Sequence, residues 1–224
     1  MRKRTKIADR PQPDYTKGEE VMNMVTHIVG GALGIVVLVL CVIRAALNDN
    51  VYGVVGSAIY GASMIALYSM SSIYHGVRPG MAKLVLQVLD HCTIYFLIAG
   101  TYTVLCLSAI RRVDPVLGWS MFGFQWGMGA LAITLTAIDL KKYNVFSMIC
   151  YIGMGWAVIV FAPVAIEALT MPGFLLLLSG GIAYSIGAIL FGIGARIRWT
   201  HSVFHIFVVL GSLLQFLSIL LYGL

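Results

Sequence analysis

Apolar residues run along this chain in seven long stretches, at 21–47, 51–75, 84–110, 116–138, 145–168, 172–195 and 199–222, separated by short polar ones. At 1.5 Å per helical residue, each run is long enough to cross about 30 Å of hydrocarbon. The runs are continuous and lack the two-residue alternation of barrel strands, which argues against a β-barrel. Connections as short as 48–50 make consecutive helices antiparallel neighbours. The pattern therefore predicts an all-α polytopic membrane protein, a seven-helix transmembrane bundle over 21–224, preceded by a polar segment at 1–20. That segment has no apolar core of the kind a secretory signal carries, and it reads as a basic, mobile tail. Pro163, within the fifth run, predicts a kink there.

Composition strengthens the membrane assignment. Of 224 residues 60% are apolar and 11% charged, with a mean hydropathy of +0.93, outside the balance of soluble domains. Short loops rich in Lys and Arg stay on the cytoplasmic side. Of the 15 such residues only Arg44, Arg111 and Arg112 fall on one side; the others, from Arg2 through Arg78, Lys83, Lys141 and Lys142 to Arg198, fall on the opposite one. This places the N-terminus in the cytoplasm and the C-terminus outside, in a cell membrane. The formal charge of +6 then faces lipid headgroups and gives no reason to expect nucleic acid as a partner. Cys41, Cys92, Cys106 and Cys150 are scattered singly and read as small buried apolar groups.

Depth makes the histidines informative. With this orientation His27, His75, His91, His201 and His205 all lie in the inner half of the membrane. His201 and His205 are one turn apart and share a helix face. Asp90 is the one carboxylate well inside a span, about 10 Å from Lys83, and there it needs a partner, a wet cavity or a cation. A divalent metal would meet that need. Three neutral imidazoles plus a water make an open zinc site, and His75, at matching depth, is a suitable third ligand beside the pair. Ser71 lies one turn from His75 on the same face, and Asp90 could hydrogen-bond the water. Three nitrogens without a thiolate suit zinc best, with iron or manganese as other candidates. The alternative is that each histidine caps a helix or bonds a nearby carbonyl.

The stretches EEVMNMVTH at 19–27, SSIYH at 71–75, LDHCTIYFLIAGTYT at 89–103 and HSVFHIFVVLGS at 201–212 together resemble the hemolysin III family, bacterial relatives of the progestin and adipoQ receptors and, more remotely, of alkaline ceramidases. The resemblance implies seven helices, an inside N-terminus and a zinc ion near the inner leaflet. It assigns His75, His201 and His205 to the metal, and Asp90 and Ser71 to its water. One departure is Gln215, where many relatives carry histidine; it lies about 15 Å along the last helix from His205, too far to share the metal. Glu20, Asn23 and His27 form an i, i+3, i+7 stripe, read either as a site entrance or as an ordinary helix start. His91 points about 100° away from Asp90 and reads as structural.

Two functions follow as expectations. One is a zinc-dependent hydrolase of a lipid amide or ester, with membrane lipids as substrate and a fatty acid as product. The other is a non-catalytic sensor or lytic pore in which the metal only ties helices together. No ring of charge crosses the membrane, which gives the pore little support.

Overall fold

The computed structural model describes residues 5–10, 12–194 and 197–224. Arg2, Lys3, Arg4 and Arg196, four of the basic residues used above for orientation, lie outside them. Among the described residues there are helices and no strands. Six helical stretches are long and apolar enough to cross a membrane.

Helix α1 spans Lys17–Leu47 and begins inside the segment assigned to the tail. The reason is a capping box: the Thr16 hydroxyl accepts from the Glu19 amide, and the Glu19 carboxylate accepts from the Thr16 amide. Helix α2 (Val51–Gly76) starts at Asn50, whose Oδ1 accepts from the Gly53 amide at 2.8 Å. Helix α3 runs over Met81–Val113 and contains a π stretch at Leu105–Ile110. Helix α4 (Pro115–Ile138) has Asp114 as its cap and proline in its first turn, where the missing N–H costs nothing.

The next apolar stretch, Asn144–Gly194, is 51 residues long. It comprises α5 (Asn144–Gly155), a 3-10 segment at Trp156–Phe161, and α6 (Ala162–Gly194). The kink expected from Pro163 takes the form of that 3-10 segment. Proline cannot donate to the carbonyl four residues back, and Ile159 O accepts from the Ala162 amide instead. Within α6 the backbone breaks at Thr170 (φ 61°, ψ 164°), just before Pro172. The chain reverses there: Trp156, fourteen residues before Thr170, donates its indole N–H to Ser185 Oγ, fifteen residues after, at 2.9 Å. Helix α7 (Thr200–Ser218) follows and ends in a π turn at Ile219–Gly223.

Helix α7 packs along α6 and also touches α1, so the first and last helices are neighbours. Core residues fall into three groups. Tyr60, Met64 and Tyr68 of α2 meet Val37 of α1 and Val208 of α7; Ile110 of α3 meets Phe161 and Leu169; Tyr95 meets Ala132 and Met154. Close approach between helices depends on glycine at two places. A Cβ on Gly30 would come within 2.5 Å of the Tyr68 ring, and one on Gly180 within 2.6 Å of Gln215 Cγ. The outward surface is apolar, with Val29, Ile35, Val39 and Ile43 of α1 all exposed, as lipid contact requires. All four cysteines are free thiols, and Cys41, Cys106 and Cys150 are buried.

Candidate metal centre

Three histidines from two helices converge at one end of the bundle. Ligand-capable atoms of His75, His201 and His205 all lie within 4.8 Å of one another. His201 and His205 face each other through their Nε2 atoms at 3.1 Å. The three residues are 3%, 7% and 1% exposed. The i, i+4 spacing accounts for the pair, and the start of α7 sets its direction. Trp199 takes a left-handed conformation (φ 65°), held by its amide donating to Glu19 Oε1 at 2.7 Å. The same carboxylate caps α1, so Glu19 fixes the beginnings of both the first and the last helix.

The tautomer of His75 follows from its neighbours. Its Nδ1 lies 2.6 Å from Glu20 Oε2, and the other oxygen of Glu20 accepts from Lys83 Nζ at 2.7 Å. A carboxylate held by an ammonium group can only accept, so His75 Nδ1 carries the proton and its Nε2 lone pair points into the cluster. That Nε2 is buried and without a hydrogen-bond partner. A buried nitrogen lone pair without a partner, beside two other imidazole nitrogens directed at each other, is what a bound cation would satisfy. Zinc–nitrogen bonds of about 2.0–2.1 Å at tetrahedral angles set ligand nitrogens about 3.3 Å apart, close to the 3.1 Å seen for one pair. The residues present therefore fit a metal ion.

Around this core lie groups whose roles the sequence left open. Asn23 Nδ2 lies 3.4 Å from His75 Nδ1, and Asn23 Oδ1 accepts from Ser202 Oγ at 2.6 Å. The His27 ring packs at 3.8 Å from that of His205, and both its nitrogens are buried without partners. Glu20, Asn23 and His27 thus form an outer layer against the ligands. His91 Nδ1 bonds its own helix at Gln87 O, 2.7 Å away, outside the cluster.

A cavity of about 720 Å³ opens from the centre into the bundle. Its wall at the histidine end includes His27, Ser71, Asp90, His201 and His205. The Ser71 hydroxyl lies beside the Asp90 carboxylate on the cavity wall, placed to serve it as a donor. Asp90 is thus brought to the same cavity as the ligands, with Ser71 as its partner. The carboxylate that touches a ligand is Glu20. Two signals could have identified it: the T-x-x-E of 16–19 marks the start of α1, and the stripe at 20, 23 and 27 then has to face another helix.

The segment before α1 closes this end. Thr5 N–H donates to Asp139 Oδ2 at 2.7 Å, Gln12 Nε2 donates to Gly80 O at 2.9 Å, and Tyr15 stacks on His201 with ring centroids 4.8 Å apart. The expected mobile tail is, over its described residues, laid across the site. Burial, with the nearby Glu20, Asp90 and Glu19 charges, raises the Tyr15 hydroxyl well above its ordinary pKa, so the ring covers His201 as a neutral phenol.

Comparison with known proteins agrees with these features. A family model described as haemolysin-III related matches residues 15–216. Hemolysin-3 of Bacillus cereus is 37% identical over 204 residues, covering 91% of each chain. The Hemolysin-3 homolog of Bacillus subtilis (strain 168) is 35% identical over 208 residues, 93% of this chain and 96% of the relative. The human monocyte to macrophage differentiation factor is 27% identical over 180 residues, 77% of this chain and 72% of its own. The match spans both ends of the histidine cluster, from the capping box of α1 to the late pair on α7, and the chain belongs to the haemolysin III-related family.

Proposed function

We propose that this is an intramembrane zinc hydrolase of a lipid amide or ester. The observation that carries the reading is a buried, unpartnered imidazole set opening directly onto a long cavity that also holds Asp90 and Ser71. The membrane is the cytoplasmic one, with the N-terminus inside. Counting the two sides of the Thr170 break as separate crossings gives seven spans and puts the C-terminus outside; 51 helical residues would otherwise extend over about 75 Å, more than twice a hydrocarbon core.

When bound by His75, His201 and His205, zinc supplies a carbonyl-polarising charge and lowers the pKa of a water to about 7. The chain's own groups do the rest. Ser71 holds one oxygen of the Asp90 carboxylate and leaves the other to take the proton of the attacking water. Once Asp90 is protonated it no longer needs that donor, and the Ser71 hydroxyl turns to the oxygen on which negative charge develops. Asp90 then returns the proton to the departing amine or alcohol. Glu20, backed by Lys83, keeps the Nε2 lone pair of His75 directed at the metal. The apolar cavity excludes bulk water and accommodates the acyl chain.

The test is release of fatty acid from ceramides and other long-chain acyl amides by purified, zinc-loaded protein in nanodiscs. Asp90→Asn is expected to keep the metal and lose turnover; turnover that survives this change removes the mechanism.

A second reading has one observation in its favour. Tyr15 lies over His201, and the ligands are nearly wholly enclosed, as they would be if the metal served only to tie α2 to α7 in a receptor-like or lytic protein. In that case Asp90→Asn changes nothing, while His205→Ala unfolds the protein.

A further inference from the structure

Deep in the cavity, away from the histidines, one polar side chain has nothing to bond. Gln215 of α7 lines the wall, and its carboxamide makes no hydrogen bond among the described residues. The hydroxyls of Thr101, Ser185 and Tyr184 on the same cavity wall are already engaged. Thr101 donates to Leu97 O at 2.9 Å, Ser185 donates to Gly181 O and accepts from Trp156, and Tyr184 shares a 2.6 Å bond with Ser212. The fold makes room for Gln215 by placing a glycine opposite: any side chain at position 180 would strike Gln215 Cγ at 2.6 Å. An unmet carboxamide facing an apolar cavity is unfavourable unless a ligand or water meets it.

The position of Gln215 defines what would meet it. It lies ten residues along α7 from His205, a rise of about 15 Å, with Phe204 and Val208 as apolar wall along this helix. An extended alkyl chain gains about 1.3 Å per methylene, and helix side chains lean toward the N-terminus, here toward His205. A carbonyl at the metal thus brings the tenth to twelfth carbon of its chain beside Gln215. A hydroxyl at that point donates to Oε1 and accepts from Nε2, satisfying both halves of the amide, whereas a plain methylene satisfies neither.

We infer that Gln215 forms a second polar subsite of the cavity, which selects acyl chains bearing a hydroxyl about ten to twelve carbons from the carbonyl. This rests on the acyl-chain reading of the cavity given above and adds a specificity to it.

Equilibrium binding of radiolabelled octadecanoic, 12-hydroxyoctadecanoic and 5-hydroxyoctadecanoic acids to the full-length, metal-loaded protein separates the two ideas. The 12-hydroxy acid is expected to bind about tenfold more tightly than octadecanoic acid, and the 5-hydroxy acid no better than it. In Gln215→Leu the advantage of the 12-hydroxy acid should vanish and octadecanoic acid should gain. Equal binding of the 12-hydroxy and unsubstituted acids by the native protein overturns the subsite, the amide then being met by water, and leaves the acyl cavity standing. Binding of none of the three overturns the acyl cavity and the subsite with it. If Gln215→Leu does not fold, the positional contrast between the two hydroxy acids in the native protein decides.

Discussion

The two ends of the bundle handle buried polar groups in opposite ways. At the end away from the histidines, Asn50 donates to Ser108 Oγ at 2.8 Å, and Ser108 donates to Gly223 O at 2.6 Å. Arg112 donates to the same carbonyl at 3.1 Å, and Arg111 lies 3.7 Å over the ring of Tyr52. These bonds run in a closed circuit from α2 through α3 to the end of α7. At the histidine end Glu20, Lys83, Ser202 and the Asn23 oxygen are satisfied as well, but the bonds stop at His75 Nε2, at the pair of facing Nε2 atoms and at both nitrogens of His27. The first arrangement is complete as it stands and holds helices together. Unpartnered buried atoms occur elsewhere too, at Ser57 Oγ, Tyr60 OH and Gln125 Oε1, but only at the histidine end do ligand-capable nitrogens converge among the described residues, and that convergence separates a site from a structural polar cluster.

Breaking each end should produce different losses. The largest is expected from His205→Ala: metal affinity falls by on the order of a thousandfold or more, read by elemental analysis of the purified protein, and thermal stability falls with it. Next is Glu20→Gln, which removes the negative charge and leaves one acceptor oxygen for both His75 and Lys83, so the His75 tautomer is no longer fixed; metal affinity should fall about 10- to 100-fold, measured by competition with a chelator. At the opposite end, Asn50→Leu removes a helix cap and the donor to Ser108. It should cost about 2 kcal/mol in a denaturation assay and leave metal content unchanged. Metal loss in that variant would mean that the two ends are not independent.

The smallest effect concerns the segment over the site. Burial disfavours the Asp139 carboxylate, but the amides of Thr5 and Lys142 and the Arg10 charge outweigh it and hold the pKa below the ordinary value. A depressed carboxylate pKa stabilises the docked state above the unfolded value of about 4 and loses that contribution as pH falls through the folded value. Protease cleavage within residues 5–16 should therefore be slow at neutral pH and rise only below about pH 4. Cleavage independent of pH down to 3 would show that Asp139 does not hold this segment.

What could be read from the sequence and what could not divides along physical lines. The helices were legible because lipid demands long apolar runs, and His201 with His205, or Ser71 with His75, because spacing on one helix determines which side chains share a face. Asp90 was legible because a carboxylate at that depth requires compensation. Contacts between helices were not. The stripe of Glu20, Asn23 and His27 was visible, but its partner was not, since periodicity gives the direction of a face without saying what it meets. The docking of Tyr15 depends on Thr5, Gln12 and the 139 region meeting across the fold. The break at Thr170 was expected as a loop, while the π stretch at Leu105–Ile110 has no marker in an unbroken apolar run.

The Glu19 carboxylate joins positions 180 residues apart, since it accepts from both Thr16 and Trp199. A contact of such sequence separation forms late, because the entropy of bringing its ends together must be met before the contact returns anything. As the protein is synthesised, Glu20 can engage His75 and Lys83 once α2 and α3 are in place, whereas Glu19 meets Trp199 only when the last helix arrives. A chain interrupted before α7 therefore carries one oriented histidine of the three, and the arrival of α7 supplies the other two together.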